Sequence, residues 1–287
     1  MQSAQFSLHA AMEEKHWWFL GRRQIIRALV DCVVPAVKDT LIVDVGCGTG
    51  GNLAAFVHGY SCLGVDPSAD AIQLARSRFP HAQFICGSIP EALREVQPHA
   101  SLFLLADVLE HVPDDFLFLS TLLESAKPGA YLLLTVPANM ALWTEHDVNF
   151  GHYRRYDLQR LQQVWSGLPV TVPVVSYYNF WLYPLVRTIR ALNRWRGRAS
   201  GAAGTDFQMP PRPLNTVLQR LFASEATTLV KCLEERRGRG FPYGVSLIAL
   251  LRREPGILRA RTKPPEVPPD PHDQLAFSNE TAASLTT

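Results

Sequence analysis

The chain has 287 residues, of which 47% are hydrophobic and 19% are charged, a balance that suits a globular protein burying a sizeable core. Its formal net charge is only +2, so charge gives no reason to expect a nucleic-acid partner. The five cysteines are scattered without C-x-x-C spacing, which argues against a zinc site and a disulfide framework. This usage favours a reduced, cytoplasmic protein, and no metal ligands are predicted.

Residues 1–38 predict a helical segment that ends at Pro35. Residues 24–34 place apolar side chains at helical spacing, and EKHWWFLGRR (14–23) sets three aromatic residues among charged ones ahead of them. No signal peptide is expected, because the first twenty residues mix Glu, Lys and His with the aromatics. No apolar run reaches the roughly 18–20 residues that cross a bilayer.

Short apolar runs alternating with helix-length segments predict a parallel sheet covered on both faces. The first five predicted strands are residues 41–45, 61–66, 83–87, 101–107 and 130–137, with helices such as 68–78 and 114–126 between them. Two later strands are predicted at 170–178 and 243–253, and the second is expected to pair at the sheet edge. The fold class is therefore α/β: a Rossmann-like, mostly parallel seven-stranded sheet flanked by helices, with an N-terminal helical lid and a C-terminal helical cap.

A basic amphipathic segment separates the last two predicted strands. Residues 158–205 contain no Asp or Glu, and four arginines recur at helical spacing among apolar residues: Arg187, Arg190, Arg194 and Arg198. Such a helix can lie in the headgroup region of an anionic membrane. It can equally pack its apolar side on the domain, and both interpretations stay open.

The chain divides into five predicted segments. They are a lid (1–38), a cofactor-binding core (39–178), a basic helical cap (179–242), a closing strand of the core (243–253) and a disordered tail (254–287). Within the cap, the Gly-, Ala- and Pro-rich residues 197–213 predict a flexible linker. The tail is predicted to be disordered because it is rich in proline and polar residues and lacks periodicity.

A glycine loop, GCGTGG (46–51), joins the first predicted strand to a helix. Glycines allow a tight turn and close approach of a ligand, whose polar group then meets the first amides of the helix. Asp66 ends the second strand about 20 positions after Gly46, where a carboxylate can accept both hydroxyls of a ribose. The spacing also matches G-x-G-x-x-G, so dinucleotide binding is an alternative.

Asp44 helps to discriminate between these ligands. It lies two residues before the first glycine, where a carboxylate would sit badly beside a pyrophosphate. It would suit a ligand that carries an ammonium and a sulfonium. The alternative is a carboxylate that caps the amides of the loop.

The runs VDVGCGTGG (43–51), LGVDPS (63–68) and ADVLEHVPDD (106–115) together resemble the class I S-adenosylmethionine-dependent methyltransferases of the type 11 branch, over roughly residues 40–157. The resemblance implies S-adenosyl-L-methionine as cofactor, with its methionine part on the first strand and glycine loop and its ribose after the second strand. The cofactor-binding residues implied in this way are Asp44, Gly46, Cys47, Gly48, Gly50, Asp66 and Pro67.

Two further regions follow from the same resemblance. The family often has an acid against the adenine amino group near the end of strand 3, where this chain has Gly87 and Ser88. The hydroxyl of Ser88 is expected to make a weaker version of that contact. After strand 4, Asp107 is predicted to contact the cofactor and His111 to be a catalytic candidate, with Glu110 structural. Alternatively, this run caps its own helix through acidic residues 114 and 115.

The loop after the fifth strand is predicted to lead into the acceptor pocket. His146 is the candidate general base, with Asp147 beside it, because methyl transfer to oxygen or nitrogen requires proton removal and histidine titrates in the right range. Tyr153, Arg154 and Arg155 are predicted to bind the acceptor, since guanidinium groups clamp carboxylates and phosphates. The alternatives are loop architecture for the first pair and ion pairs with the core for the arginines.

The aromatic segment then has a predicted role. A parallel sheet presents its ligand at the C-terminal strand ends, so the N-terminal helix can fold across that edge as a lid. Trp18 and Arg22 would contact the cofactor, and the aromatics would exclude water. The alternative, compatible with the first, is that the aromatics fasten the helix to the sheet.

The sequence thus predicts a cytoplasmic S-adenosylmethionine-dependent methyltransferase that acts on an unidentified small-molecule or lipid-linked acceptor. Resemblance of residues 177–187 and 242–247 to related enzymes implies a bulky hydrophobic acceptor, and the basic helix predicts peripheral contact with the inner face of an anionic membrane. One rival is an NAD(P)-dependent oxidoreductase, although no Tyr-x-x-x-Lys pair follows the fourth strand. Another is a non-catalytic cofactor-binding scaffold at the membrane surface.

Overall fold

A computed structural model describes residues 3–89, 91–94, 96, 98–196 and 209–256. Most of the predicted linker and nearly all of the predicted tail lie outside these residues. The division into lid, core, cap and tail stays a prediction.

The strands follow the predicted runs closely. They are β1 Leu41–Val45, β2 Ser61–Asp66, β3 Gln83–Cys86, β4 Leu102–Ala106, β5 Tyr131–Pro137, β6 Val170–Tyr178, β7 Gly238–Arg239 and β8 Ser246–Arg253. They form one sheet in the order β3-β2-β1-β4-β5-β8-β6-β7. The first five are mutually parallel, and β8 is antiparallel to β5 and β6. This sheet confirms the predicted α/β, mostly parallel fold.

Two details of the predicted sheet are wrong. The described residues form eight strands, not seven, because the two-residue β7 pairs with β6 at one edge. β8 does not close an edge but lies between β5 and β6. Its residues from Ser246 to Leu251 are all buried. A strand that is apolar on both faces belongs in the interior of a sheet, where neighbouring strands pair with both of its edges.

Nine α-helices are described. They are α1 Ser3–Lys15, α2 Trp17–Val33, α3 Ala69–Arg78, α4 Asp115–Ser125, α5 Glu145–Asn149, α6 Leu158–Gln163, α7 Tyr183–Trp195, α8 Arg212–Ala223 and α9 Glu225–Glu234. Ser68 and Asp114 cap α3 and α4 by accepting hydrogen bonds from main-chain amides of the first turn. No helix among the described residues is long and apolar enough to cross a membrane.

The predicted N-terminal helix is two helices broken at His16. The backbone of His16 is extended, and its Nδ1 accepts a hydrogen bond from the amide of Trp18, so His16 caps α2. Asn215 of α8 holds the same junction: its side chain accepts from the amide of Trp17 at 2.9 Å and donates to the carbonyl of Lys15 at 2.8 Å.

Successive residues of each strand alternate between two apolar cores. Leu132 and Leu134 of β5 pack in one core with α4, while Leu133 packs in the other with Ile25 and Leu29 of α2. The α2 face also carries α8 and α9, and Trp17 meets Phe222 edge-on with ring centroids 5.8 Å apart. The sheet is thus covered on both faces, and α2 is fastened between the sheet and the C-terminal helices.

Candidate functional site

The glycine loop lies at the C-terminal end of β1. Gly46, Gly48 and Gly50 have φ values of +70°, +52° and +81°, which glycine adopts without the steric cost that other residues bear. A Cβ built on Gly48 would meet nothing within 4 Å, so the main chain there is open to a ligand. The amides of Gly46 and Cys47 donate to the carbonyl of Val65, and the Cys47 thiol is buried, so Cys47 shapes the loop.

Asp44 is completely buried at the base of this loop. Neither carboxylate oxygen has a hydrogen-bond partner within the described parts of the chain, although the nearby Asn52 side chain acts to lower the pKa of Asp44. Burial raises the pKa of Asp44 to about 8, against the attraction of Arg22. A buried carboxylate without a partner is costly, and a ligand ammonium would supply one. The residues present therefore fit the methionine part of the implied cofactor.

Asp66 ends β2 beside the loop. Its carboxylate accepts hydrogen bonds from the amides of Gly48 and Ser68, each at 2.8 Å, and it remains partly exposed. The parallel register of β1 with β2 brings this acid next to the glycines, with the exposed Pro67 following it. This placement suits recognition of a ribose diol.

An acid that was not predicted from the sequence, Glu91, lies near the end of β3. Ser88 is exposed, and its hydroxyl donates to Glu91 Oε2 at 2.8 Å. Glu91 lies five residues past the strand end at Cys86, within a short helical turn, so spacing along the chain did not mark it. A contact to adenine through Ser88 or Glu91 stays a prediction.

The N-terminal helices lie against the loop. Arg22 is buried and donates to Asn52 Oδ1 at 3.1 Å and to Asp107 Oδ2, while its guanidinium stacks 4.3 Å from the ring of Trp18. Arg23 donates to the carbonyl of Gly51 at 2.8 Å. The structure therefore places Arg22 and Trp18 at the edge where the lid was predicted.

Helix α1 adds a contact that the sequence did not suggest. Glu13 is buried against the loop, where its Oε2 accepts from Thr49 Oγ1 and, at 2.7 Å, from Arg78 Nη1. A Cβ added to Gly51 would collide with the Glu13 carboxylate at about 2.4 Å. The glycine at 51 is thus needed for close packing of α1.

Asp107 has an unusual backbone conformation at the end of β4. Its φ is +60°, which is uncommon for a residue other than glycine. Its Oδ1 accepts from Thr135 Oγ1 at 3.0 Å, and its Oδ2 accepts from Arg22. Strained residues of this kind concentrate at functional sites, which supports the predicted position of Asp107 in the cleft.

Asp147, which was predicted to act beside His146, pairs with His152 and Arg155. It is buried, and its Oδ1 lies 3.0 Å from His152 Nδ1, while Arg155 donates to both of its oxygens at 2.9 and 3.0 Å. Gly151, with φ +69°, reverses the chain and returns His152 to Asp147. His152 was missed because this pairing depends on the turn; the only sequence signal was the Asp-x₃-Gly-His run.

Three histidines nevertheless converge beside the end of β4. The ring of His152 lies 4.6 Å from that of His111 and 6.2 Å from that of His146, centroid to centroid. Burial, followed by the neighbouring His152, lowers the pKa of His111 to about 4, although its ring remains open to solvent on one side. His111 is therefore neutral at pH 7.

The predicted acceptor-binding arginines serve the core in this structure. Arg154 donates to the carbonyls of Val112 at 2.7 Å and Pro113 at 2.6 Å and lies 3.4 Å from Asp115. Tyr153 lies beside it, with its ring 5.6 Å from that guanidinium. These contacts match the alternative in which the arginines form ion pairs with the core. We therefore do not propose Arg154 as an acceptor ligand.

A cavity of about 390 Å³ opens at the same C-terminal edge, past β5. Arg155 forms part of its wall and is the one predicted acceptor residue placed there. The other lining residues are Asn139, Met140, Asp157, Tyr177, Tyr183, Pro242, Tyr243 and Gly244. The cavity combines aromatic walls with a guanidinium, the side-chain amide of Asn139 and the carboxylate of Asp157.

Comparison with known proteins agrees with this geometry. The family profile described as a methyltransferase domain matches residues 17–179, more than half of the chain. Trans-aconitate 2-methyltransferase of Rhodopseudomonas palustris is 29% identical over 110 residues, and that of Azoarcus is 30% identical over 109 residues. Each match covers 37% of this chain and 42% of the relative, so the chain matches less than half the length of these relatives.

A solved structure from Galdieria sulphuraria, described as a sarcosine dimethylglycine methyltransferase, superposes with a TM-score of 0.51 at 13% identity. The superposition covers 81% of this chain and 86% of the other, and at that identity it speaks for the fold alone. The chain therefore belongs to the methyltransferase-domain family, within the class I S-adenosylmethionine-dependent group that its glycine loop and strand-end acids resemble.

Proposed function

We propose that the protein is a methyltransferase that uses S-adenosylmethionine to methylate a small-molecule acceptor. The observation that carries this proposal is Asp44, a fully buried carboxylate without a partner in the described structure, at the base of an open glycine loop. An NAD(P) oxidoreductase would bring a pyrophosphate towards this carboxylate. Membership of the methyltransferase-domain family also favours the methyl donor over the dinucleotide.

Each part of the site has a proposed role toward the cofactor. Asp44 would hold the ammonium and Asp66 the ribose hydroxyls, and the open main chain at Gly48 would let the cofactor approach closely. Arg22 and Trp18 would cover the methionine part and exclude water. S-adenosylmethionine supplies a sulfonium methyl that is already activated for attack, so these residues need only bind and orient it.

The proposed acceptor lies between the histidines and the cavity past β5. Trans-aconitate, the acceptor in the names of the relatives, is a small polyanion, and these names support a small-molecule acceptor for this chain. Deprotonation of an acceptor oxygen or nitrogen would fall to His146. A lipid-linked acceptor is the alternative that the aromatic walls favour.

Calorimetric titration with S-adenosylmethionine, S-adenosylhomocysteine and NADH tests the cofactor. We expect the adenosyl ligands to bind and Asp66→Ala to weaken them at least tenfold, about 1.4 kcal/mol. Asp70→Ala is the matched control, because Asp70 is an exposed acid in the first turn of the next helix. Tight NADH binding, or equal affinity in wild type and Asp66→Ala, would contradict the proposal.

We also propose that α7 contacts an anionic membrane surface. One stripe of this helix is apolar and between 42% and 55% exposed, and it consists of Leu185, Ile189 and Leu192. Trp195 at the end of the helix is 80% exposed, and the exposed Arg187 supplies positive charge. Flotation with liposomes is the test: enrichment on anionic vesicles over neutral ones is expected, and its loss in Ile189→Glu. Equal recovery on both vesicle types would rule out this contact.

A further inference from the structure

Three side chains near the end of β4 form a group with metal-ligand chemistry. One ligand atom each from Glu110, His111 and His152 lies within 4.8 Å of the other two. Glu110 and His111 follow β4, while His152 arrives from the loop after α5, and the amide of Tyr153 donates to the Glu110 carbonyl at 2.7 Å. The fold thus brings together residues about 40 positions apart.

Glu110 gives independent evidence that a ligand belongs here. Its side chain is completely buried, and among the described residues neither carboxylate oxygen has a hydrogen-bond partner. A buried carboxylate in this state carries a large desolvation cost that pairing or metal coordination would offset. We infer that Glu110, His111 and His152 bind a divalent transition-metal ion.

The surroundings of His152 match those of a metal-bound histidine. Its Nδ1 lies 3.0 Å from Asp147 Oδ1, and because Arg155 holds that carboxylate from the other side, Asp147 can only accept. The hydrogen must then reside on Nδ1, which leaves the Nε2 lone pair for the metal. A carboxylate that orients a histidine in this way recurs in metal sites, where it fixes the tautomer and strengthens the ligand.

The ligand set also selects the class of metal. Two imidazoles and one carboxylate suit zinc, manganese, iron or cobalt better than magnesium or calcium, which prefer oxygen ligands throughout. Bonds of about 2 Å imply ligand atoms roughly 3.4 Å apart, so separations that reach up to 4.8 Å must contract by up to about 1.4 Å on binding. His111 can supply that movement, because its ring is open to solvent.

Three protein ligands leave at least one coordination position free. The open side at His111 faces solvent at the C-terminal edge of the sheet, where the acceptor is proposed to bind. Water or an oxygen of the acceptor could occupy the free position. Metal binding itself does not depend on the proposed function and is measured separately.

The test is calorimetric titration of the tag-free full chain with Zn²⁺ and with Co²⁺. We expect about one site per chain in the wild type, and at least a tenfold loss of affinity in both Glu110→Gln and His111→Ala. His58→Gln is the matched control. His58 is an exposed histidine just before the start of β2, whereas the group lies past the C-terminal end of β4. Thermal unfolding without metal should show Glu110→Gln at least as stable as wild type, because it removes a buried charge, while the stabilisation by metal is lost.

Two results would overturn the inference. One is the absence of binding to the wild type; the other is unchanged affinity in Glu110→Gln and His111→Ala, which would mean adventitious binding at surface histidines. If Glu110→Gln fails to fold, His111→Ala decides the question, because His111 is an exposed residue that belongs to neither apolar core. S-adenosylhomocysteine binding is measured on the same samples, so failure of the metal site and failure of the cofactor site remain distinguishable.

Discussion

Asp44→Asn is expected to stabilise the protein in the absence of cofactor and to weaken cofactor binding. Asp44 has no hydrogen-bond partner within the described structure, and burial raises the pKa of its carboxyl from 3.8 to about 8. Asparagine has nearly the same shape and carries no charge. The substitution therefore removes the ionisation that the fold opposes and retains the packing.

The magnitude follows from the two pKa values. Between pH 3.8 and about 8 the folded protein holds a proton on Asp44 that the unfolded chain has released. The unfolding free energy therefore falls as pH rises through this window and is flat above it. At about 1.36 kcal/mol for each pKa unit, Asp44 lowers stability by up to about 4 kcal/mol at pH 7 and about 6 kcal/mol at pH 9.

Thermal and urea unfolding of wild type and Asp44→Asn at about pH 5, pH 7 and pH 9 measure this difference. The gain should increase with pH, and at pH 7 it corresponds to an increase in Tm of roughly 10 °C. Asp70→Asn, an exposed control, should show no such trend. Binding of S-adenosylhomocysteine should release close to one proton from wild type at pH 7 and none from Asp44→Asn, because the ligand ammonium favours the ionised carboxylate.

A stability difference that does not change with pH would refute this reasoning. It would mean that Asp44 is ionised in the folded protein and already paired. If Asp44→Asn leaves the cofactor affinity unchanged and the wild type releases no proton on binding, then Asp44 does not contact the cofactor.

Two further substitutions test the packing around the site. Gly21→Ala should destabilise the protein by about 1–3 kcal/mol despite the higher helix propensity of alanine, because its Cβ would lie 2.6 Å from Phe222 Cδ1. Chemical denaturation measures the unfolding free energy. If Phe222→Leu restores stability in the double variant, the contact with Phe222 causes the loss; if the two losses add, it does not. Glu225→Ala should cost about 3 kcal/mol, since Glu225 accepts hydrogen bonds from the amides of residues 179–181, and Glu225→Gln should cost less. Equal losses in both Glu225 variants, measured by urea unfolding, would show that side-chain volume and not hydrogen bonding is responsible.

The amino-acid sequence by itself determined the longer strands and the glycine loop, but not the two-residue β7. Residues 41–45, 61–66 and 170–178 were predicted with the bounds that the structure has, because short apolar runs bounded by turn residues are local signals. The positions of Asp44 and Asp66 also follow from local order, since the parallel register of β1 and β2 places both acids beside the same glycines. These features need no knowledge of distant residues.

Only the tertiary structure decided the partners of the charged groups. Asp147 faces His152 and Arg155 because Gly151 turns the chain back, and Arg22 reaches Asp107 because α2 crosses the edge of the sheet. The insertion of β8 between β5 and β6 likewise depends on burial of both its faces by elements far along the chain. Residue type limits what a side chain can bind, but its partner is set by packing between distant segments, which no local pattern encodes.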